Sequence, residues 1–259
     1  MTQIDQQNVP KLRFPGFVAA WETRQFSDFL IADFRDVPKP SENYLALGVR
    51  SHGKGTFQKP GSEPDKIAME TLYEVHANDL IVNITFAWEG AIAIAKSHDH
   101  GGLVSHRFPT YTFNREHVIH EFFEYIIEDR HFRQTLELIS PGGAGRNRVL
   151  SKKAFINIEH RFPTLPEQRK IAGFLGAVDT KIVQLAEKKR LLEDYKKGCM
   201  QQLFSQKIRF KDDDGNDFPD WEEKRLGDVF SWINTNSLSR ERLTYDGGQV
   251  QNIHYGDIH

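Results

Sequence analysis

Residues 166–204 constrain the fold more than any other part of the chain. They read PEQRKIAGFLGAVDTKIVQLAEKKRLLEDYKKGCMQQLF. Apolar side chains fall at Ile171, Leu175, Val178, Ile182, Leu185, Leu192, Cys199 and Leu203, spaced by four and three residues, then twice by seven and finally by four. A 3.5-residue period marks a helix that packs along a seam against another helix. Lys189 and Lys196 interrupt the seam at one heptad position, where their aliphatic stems can still lie along it. At 1.5 Å per residue the helix would be about 58 Å long, wider than a small domain. An exposed apolar seam of that length is unstable in water, so a second long helix should cover it. The sequence has no second sustained heptad run. The partner helix is therefore expected from a second copy of the chain or from a remainder of it.

Charge divides the chain in three. Residues 166–211 hold 11 Lys and Arg against 5 Asp and Glu, whereas residues 212–259 hold 4 against 11. Residues 1–165 are close to neutral and carry 9 of the 11 histidines. The formal net charge of −2 excludes a strongly basic, histone-like binder but not a local basic groove. The polar start MTQIDQQNVPKLRF has no apolar leader run, and no stretch approaches a membrane span. A single cysteine excludes a disulfide framework and fits a reducing, cytoplasmic setting.

A segment near the start recurs near the end. Aligned on tryptophan, Trp21 matches Trp221, Phe26 matches Leu226, Asp28 matches Asp228 and Phe29 matches Val229, at a constant offset of 200. Upstream, Leu12-Arg13-Phe14 echoes Ile208-Arg209-Phe210, with a short acidic insertion in the second copy. Such a repeat is expected from a unit of about 200 residues followed by the opening of another. The first 165 residues read as mixed α/β. Residues 76–97 hold two β-rich runs split by a Trp-Glu-Gly turn, residues 106–114 read as a strand, residues 116–139 as one helix, and residues 154–163 as a strand leading into the long helix.

Catalytic motifs are scarce. The string PDWEEK at 219–224 lacks the spacer that lets an acid and an ExK pair converge on a metal from different strands. There is no Walker-type phosphate loop, and GGAG at 142–145 follows a helix rather than a strand. No Asn-Pro-Pro-Tyr-like methyltransferase motif occurs. His98, His100, His106 and Asp99 do not have zinc-ligand spacing. DDDGND at 212–217 lacks the distal Glu of a calcium loop and reads as an acidic turn. No metal site is expected.

Binding features are richer. The loop at 48–59 offers Arg50, Ser51, His52, Lys54 and Thr56, and the loop at 140–153 offers Arg146, Asn147, Arg148, Ser151, Lys152 and Lys153. A third cluster brings Ser105, His106 and Arg107 to a strand start. Glycine admits close backbone approach, Arg and Asn can read base edges, and Lys and Ser suit phosphate oxygens. The same loops also read as solvated surface. Trp88 reads as core or as part of a reading surface.

The junction Leu165-Pro166-Glu167-Gln168-Arg169-Lys170-Ile171-Ala172, entering a heptad helix, resembles that of the DNA-specificity subunits of type I restriction–modification systems. The preceding GGAGRNRVLSKKAFINI and the W-x-x-x-x-[FL]-x-D openings at Trp21 and Trp221 resemble the same family. The junction departs from the fuller motif by one residue between Pro and Glu. The resemblance implies an α/β (α+β) target recognition domain at 1–165, a coiled-coil-type spacer helix at 166–206, and the start of a second recognition domain at 207–259. It implies a non-catalytic subunit that binds double-stranded DNA and directs a methyltransferase subunit and a restriction/translocase subunit to a bipartite target. S-adenosylmethionine, ATP and Mg are then expected only in those partners, with no cofactor in this chain. Either a half-size subunit forms a homodimer through Ile171, Leu175, Val178, Ile182, Leu185, Leu192 and Leu203, or the second half lies elsewhere. The alternative is a non-catalytic coiled-coil adaptor without useful DNA reading of its own.

Overall fold

A computed structural model describes residues 10, 12–142, 148–233 and 247. The chain divides into two compact units, residues 1–189 and 190–259. In the first unit, strands β1 (Glu22–Gln25), β2 (Leu30–Ala32), β3 (Asp36–Pro38), β4 (Tyr44–Val49), β5 (Thr56–Ser62), β6 (Thr71–Val75), β7 (Leu80–Val82), β8 (Ile92–Ile94), β9 (Gly102–Val104) and β10 (Thr110–Phe113) precede three helices. These are α1 (His120–Ile127), α2 (Arg130–Leu138) and α3 (Lys152–Ile156), and strand β11 (Glu159–Phe162) then leads into α4 (Leu165–Phe204). In the second unit, a short helix α5 (Leu226–Val229) follows.

One sheet has the order β2-β10-β7-β8, a second has the order β3-β6-β9-β4-β5, and β1 pairs with β11. All neighbours are antiparallel except β4 and β9. The three residues of β7 and of β8 are all buried, which accounts for their unbroken apolar runs. Pro60 falls in β5, at the end of its sheet, where a missing N–H is tolerated.

The main core is aromatic. Phe26 is fully buried, with its ring centroid 5.3–5.7 Å from those of Phe29, Phe123, Phe132 and Phe155. Two sequence expectations are corrected. The helix expected over 116–139 is two helices, because the Asp129 carboxylate accepts hydrogen bonds from the backbone N–H of His131 and Phe132 and so caps a fresh start. The strand expected from Ala154 begins instead with helix α3, capped by Ser151 and carrying Phe155 into the core.

The start of α4 is tied to the rest of the first unit by the Glu-Gln pair of the junction. Gln168 is fully buried and its amide makes three hydrogen bonds. Its oxygen accepts from the Ile119 N–H at 3.1 Å, and its nitrogen donates to the carbonyls of His117 and Pro163, both at 2.9 Å. Glu167, also buried, receives both arms of the Arg13 guanidinium, with Nε to Oε1 at 2.8 Å. This hydrogen bond raises the Arg13 pKa against the opposing effect of burial. Arg13 also donates to the Ala19 carbonyl at 2.8 Å, and the Phe14 ring meets Phe174 of α4 edge-on at 5.6 Å. Residues 12–21 thus form a strap across the base of the helix. Farther along, Tyr125 of α1 donates to Asp179 at 2.8 Å.

The heptad residues then change character. Ile171 packs against the core and Leu175 is half-buried, but Val178, Ile182, Leu185 and Leu192 are exposed, and Cys199 and Leu203 are half-buried.

Candidate nucleic-acid interface

Segment 83–90, between β7 and β8, organises the candidate surface. It carries a single helical turn, Ala87–Glu89, that ends at Gly90 with φ +76°. The hairpin loop between β4 and β5 sits on this turn. The His52 N–H donates to the Glu89 carbonyl at 2.8 Å, the Gly53 N–H to the Gly90 carbonyl at 2.9 Å, and the Ser51 hydroxyl to the Glu89 carboxylate at 2.8 Å. A side chain at position 90 would make only ordinary contact with the His52 backbone at 3.5 Å, and it is the left-handed backbone there that favours glycine.

Two more predicted clusters flank the same segment. Ile84 donates its N–H to the Arg107 carbonyl at 3.0 Å and accepts from the Leu150 N–H at 2.8 Å. Residues 105–107 and 148–152 therefore lie on either side of it. Arg148 places its guanidinium 5.3 Å from the Trp88 ring centroid and donates to Glu137 at 3.0 Å. The Trp88 indole N–H is held by the Thr85 carbonyl at 3.2 Å, which fixes the ring under the arginine. Lys152 lies 5.3 Å from the Phe34 ring centroid.

The predicted residues divide by what already holds them. Arg50, His52, Lys54, His106, Arg107, Lys152 and Lys153 are exposed. Arg50 also reaches the Thr56 carbonyl and lies 5.3 Å from the Phe57 ring centroid. Ser51, Ser105, Thr56, Arg148 and Ser151 are half-buried and engaged within the domain. The Thr56 hydroxyl donates to the buried Asp99 carboxylate at 2.7 Å, and the Ser105 hydroxyl accepts from the Arg107 N–H at 3.3 Å. Ser151 accepts from the Ala154 N–H at 3.2 Å as the cap of α3. Arg146 and Asn147 lie outside the described residues.

Asp99 also accepts from the Lys96 N–H at 2.9 Å, so the nearby histidines surround a carboxylate committed to the fold. Among the described residues, no group of three or more His, Cys, Asp or Glu side chains is placed to hold a metal ion.

Sequence reading missed three contributors. Phe34 and Phe86 are partly exposed aromatic rings on this surface. Arg133 of α2 brings its Nε to 3.6 Å from the position a Gly90 side chain would take, and that buried nitrogen has no hydrogen-bond partner. A phenylalanine in an apolar run reads as core, and an arginine in an amphipathic helix reads as solvated. Only tertiary structure moves either to the rim. The surface therefore pairs cations with aromatic faces, a combination that serves both phosphate contact and base-edge or stacking contact.

No family model matches the sequence. Solved structures share its fold. The HsdS subunit from Thermoanaerobacter tengcongensis superposes with a TM-score of 0.53 at 16% identity, covering 76% of this chain and 50% of that one. A chain solved for the structural basis of complex assembly and conformational transition of the type I R-M system gives a TM-score of 0.52 at 18% identity, covering 92% of this chain and 60% of that one. The likeness establishes the fold, a mixed sheet and helix domain leading into a long helix. The chain spans 50% of the first of these structures and 60% of the second.

Proposed function

We propose that the chain is a non-catalytic DNA-specificity subunit of a type I restriction–modification complex, whose first unit reads one half of a split duplex target. The observation that carries this reading is the convergence of three separately predicted donor clusters on segment 83–90, with Trp88 fixed beneath Arg148. A near-neutral unit needs its cations sorted onto one face to bind a polyanion.

Long helix α4 acts as the spacer. Its exposed residues Val178, Ile182, Leu185 and Leu192 form the seam that a second copy covers. A two-fold dimer places two reading surfaces at a fixed separation, so the target is an inverted repeat with a gap set by helix length. Methylation and cleavage belong to partner subunits that supply S-adenosylmethionine, ATP and Mg chemistry. This chain supplies the address.

Binding of the purified chain to duplexes, across a salt series, tests the surface. Arg148→Ala is expected to weaken binding to the preferred site by about 1–3 kcal/mol and to relax one position. Lys152→Ala is expected to weaken all sequences alike and to reduce the salt slope by about 1. If both variants bind as tightly as the parent chain, the surface is misassigned. A chain that joins the methyltransferase subunit but protects no site would fit the coiled-coil adaptor instead.

A further inference from the structure

Arginines that are partly withdrawn from water in this chain come with partners. Among the described residues six arginines are half-buried, and five of them, Arg13, Arg24, Arg35, Arg148 and Arg209, each pair with a carboxylate. The sixth, Arg133, makes no side-chain hydrogen bond and no ion pair among the described residues. Its Nε is sealed from solvent, whereas its two terminal nitrogens reach it. Withdrawing part of a cation from water without a partner costs stability, so the fold gains nothing from this charge.

The neighbouring carboxylates are all committed. Asp129 and Glu137 lie one helical turn before and after Arg133, on the same face of the chain. Asp129 accepts the His131 and Phe132 N–H groups as the cap of α2, and Glu137 accepts from Arg148 at 3.0 Å. Glu89, next to Gly90, accepts from the Ser51 hydroxyl at 2.8 Å. Gly90, lacking a side chain, leaves room for the Arg133 stem, whose Nε lies 3.6 Å from where a Cβ would stand. The guanidinium is therefore placed by packing and left uncompensated in charge.

Arg148, at the same turn, is held in the opposite way. Its charge is matched by Glu137, and its guanidinium lies 5.3 Å from the Trp88 ring centroid. A neutralised, fixed guanidinium adds little to the attraction for a polyanion, and its planar fork suits the edge of a base. An uncompensated one adds a full charge and suits phosphate oxygens.

We propose that Arg133 grips a phosphodiester of the DNA backbone at the Gly90 turn. The proposal rests on the reading of this surface as a DNA interface and divides its work. Arg133 supplies attraction that is blind to sequence and fixes position, while Arg148 supplies preference.

Binding of the full chain to duplexes of differing sequence across a salt series, with melting temperature measured alongside, tests the division. Arg133→Met keeps an unbranched stem and removes the charge. It is expected to weaken every duplex by the same factor and to lower the slope of log affinity against log salt by about 0.9. The parent's advantage over it should therefore shrink about 3.5-fold from about 50 to about 200 mM salt. The same variant should melt at the parent's temperature or above it, because no interaction inside the fold is lost. Arg133→Lys should keep the parent's slope, since a point charge serves a phosphate. The proposal is overturned by an unchanged slope in Arg133→Met, by a preference altered at one position, or by an equal fall in slope in Arg133→Lys. An Arg133→Met chain that melts well below the parent, or does not fold, makes Arg133 structural and also overturns it. Arg148→Ala separates the two failures. If it relaxes one position while Arg133→Met changes nothing, the DNA reading stands and the phosphate grip falls. If the parent chain binds no duplex, both fall.

Discussion

Residues 12–30 and 208–230 have matching sequence landmarks and the same local turn but opposite exposures. Phe26 is fully buried and Leu226 is 66% exposed, and Phe29 is 1% exposed against 57% for Val229. The difference is that the first copy has partners. Strand β11, helix α1 and the Glu-Gln pair of α4 receive it, whereas the second has no comparable set among the described residues. The turn that begins at Phe26 or Leu226 and the i,i+2 ion pair, Glu22 with Arg24 or Glu222 with Lys224, are local and form in either setting. Stability comes from what covers the turn.

The largest consequence is in the core. Phe26→Ala is expected to destabilise the first unit by about 3–5 kcal/mol in chemical denaturation, whereas Leu226→Ala should change stability by less than about 0.5 kcal/mol. Equal losses would mean that the two copies are equally covered in solution. Next comes the strap. Arg13→Ala leaves the buried Glu167 carboxylate unpaired and should cost about 3 kcal/mol, while Arg209→Ala, which loses a pair with the exposed Asp220, should cost less than about 1 kcal/mol.

Acid separates the surroundings of the first copy from the second copy in a smaller way, through His120 of α1. Burial, the first cause, lowers the pKa of His120, with Arg115 and Lys96 adding to the effect against Glu121 and Glu124. A histidine held neutral in the fold makes the unfolded chain the stronger proton binder, so stability is full above the ordinary value of 6.5 and falls as pH drops below it. His120→Gln should flatten that part of the stability profile. In the second copy, hydrogen bonds from the Asn216 backbone first, and then its side chain, hold Asp212 below its usual 3.8. The turn it organises should be lost only under stronger acid, as read by amide exchange in the 212–217 segment.

How much of this was readable in the sequence depends on whether the signal was local. The long helix was legible because its period runs for many turns, and its observed limits, Leu165–Phe204, differ from the expected ones by a residue or two. The runs at β7 and β8 and the turn between them were legible for the same reason. The break at Asp129 was not, because its flanks keep a helical period and only the cap distinguishes two helices from one. Helix α3 was hidden by β-branched and aromatic residues that the core selects. For the candidate surface, Gly-rich loops and basic residues marked three segments that the fold brings to residues 83–90. What sequence could not give was the docking of loop 50–55 on the turn at 87–90, or the placement of Arg133, Phe34 and Phe86. The Glu-Gln pair, which carried the family resemblance, turns out to hold the strap and α1 to the helix and does not line the candidate DNA surface.

Selection of duplexes from a randomised library by the full chain, compared with its Arg148→Ala variant, tests the proposed reading most directly. The expected result is enrichment of a two-part inverted site with a constant gap, in which Arg148→Ala loses preference at one position of each half. Recovery of sequences with no shared motif, or of a single undivided site unaffected by Arg148→Ala, would contradict it.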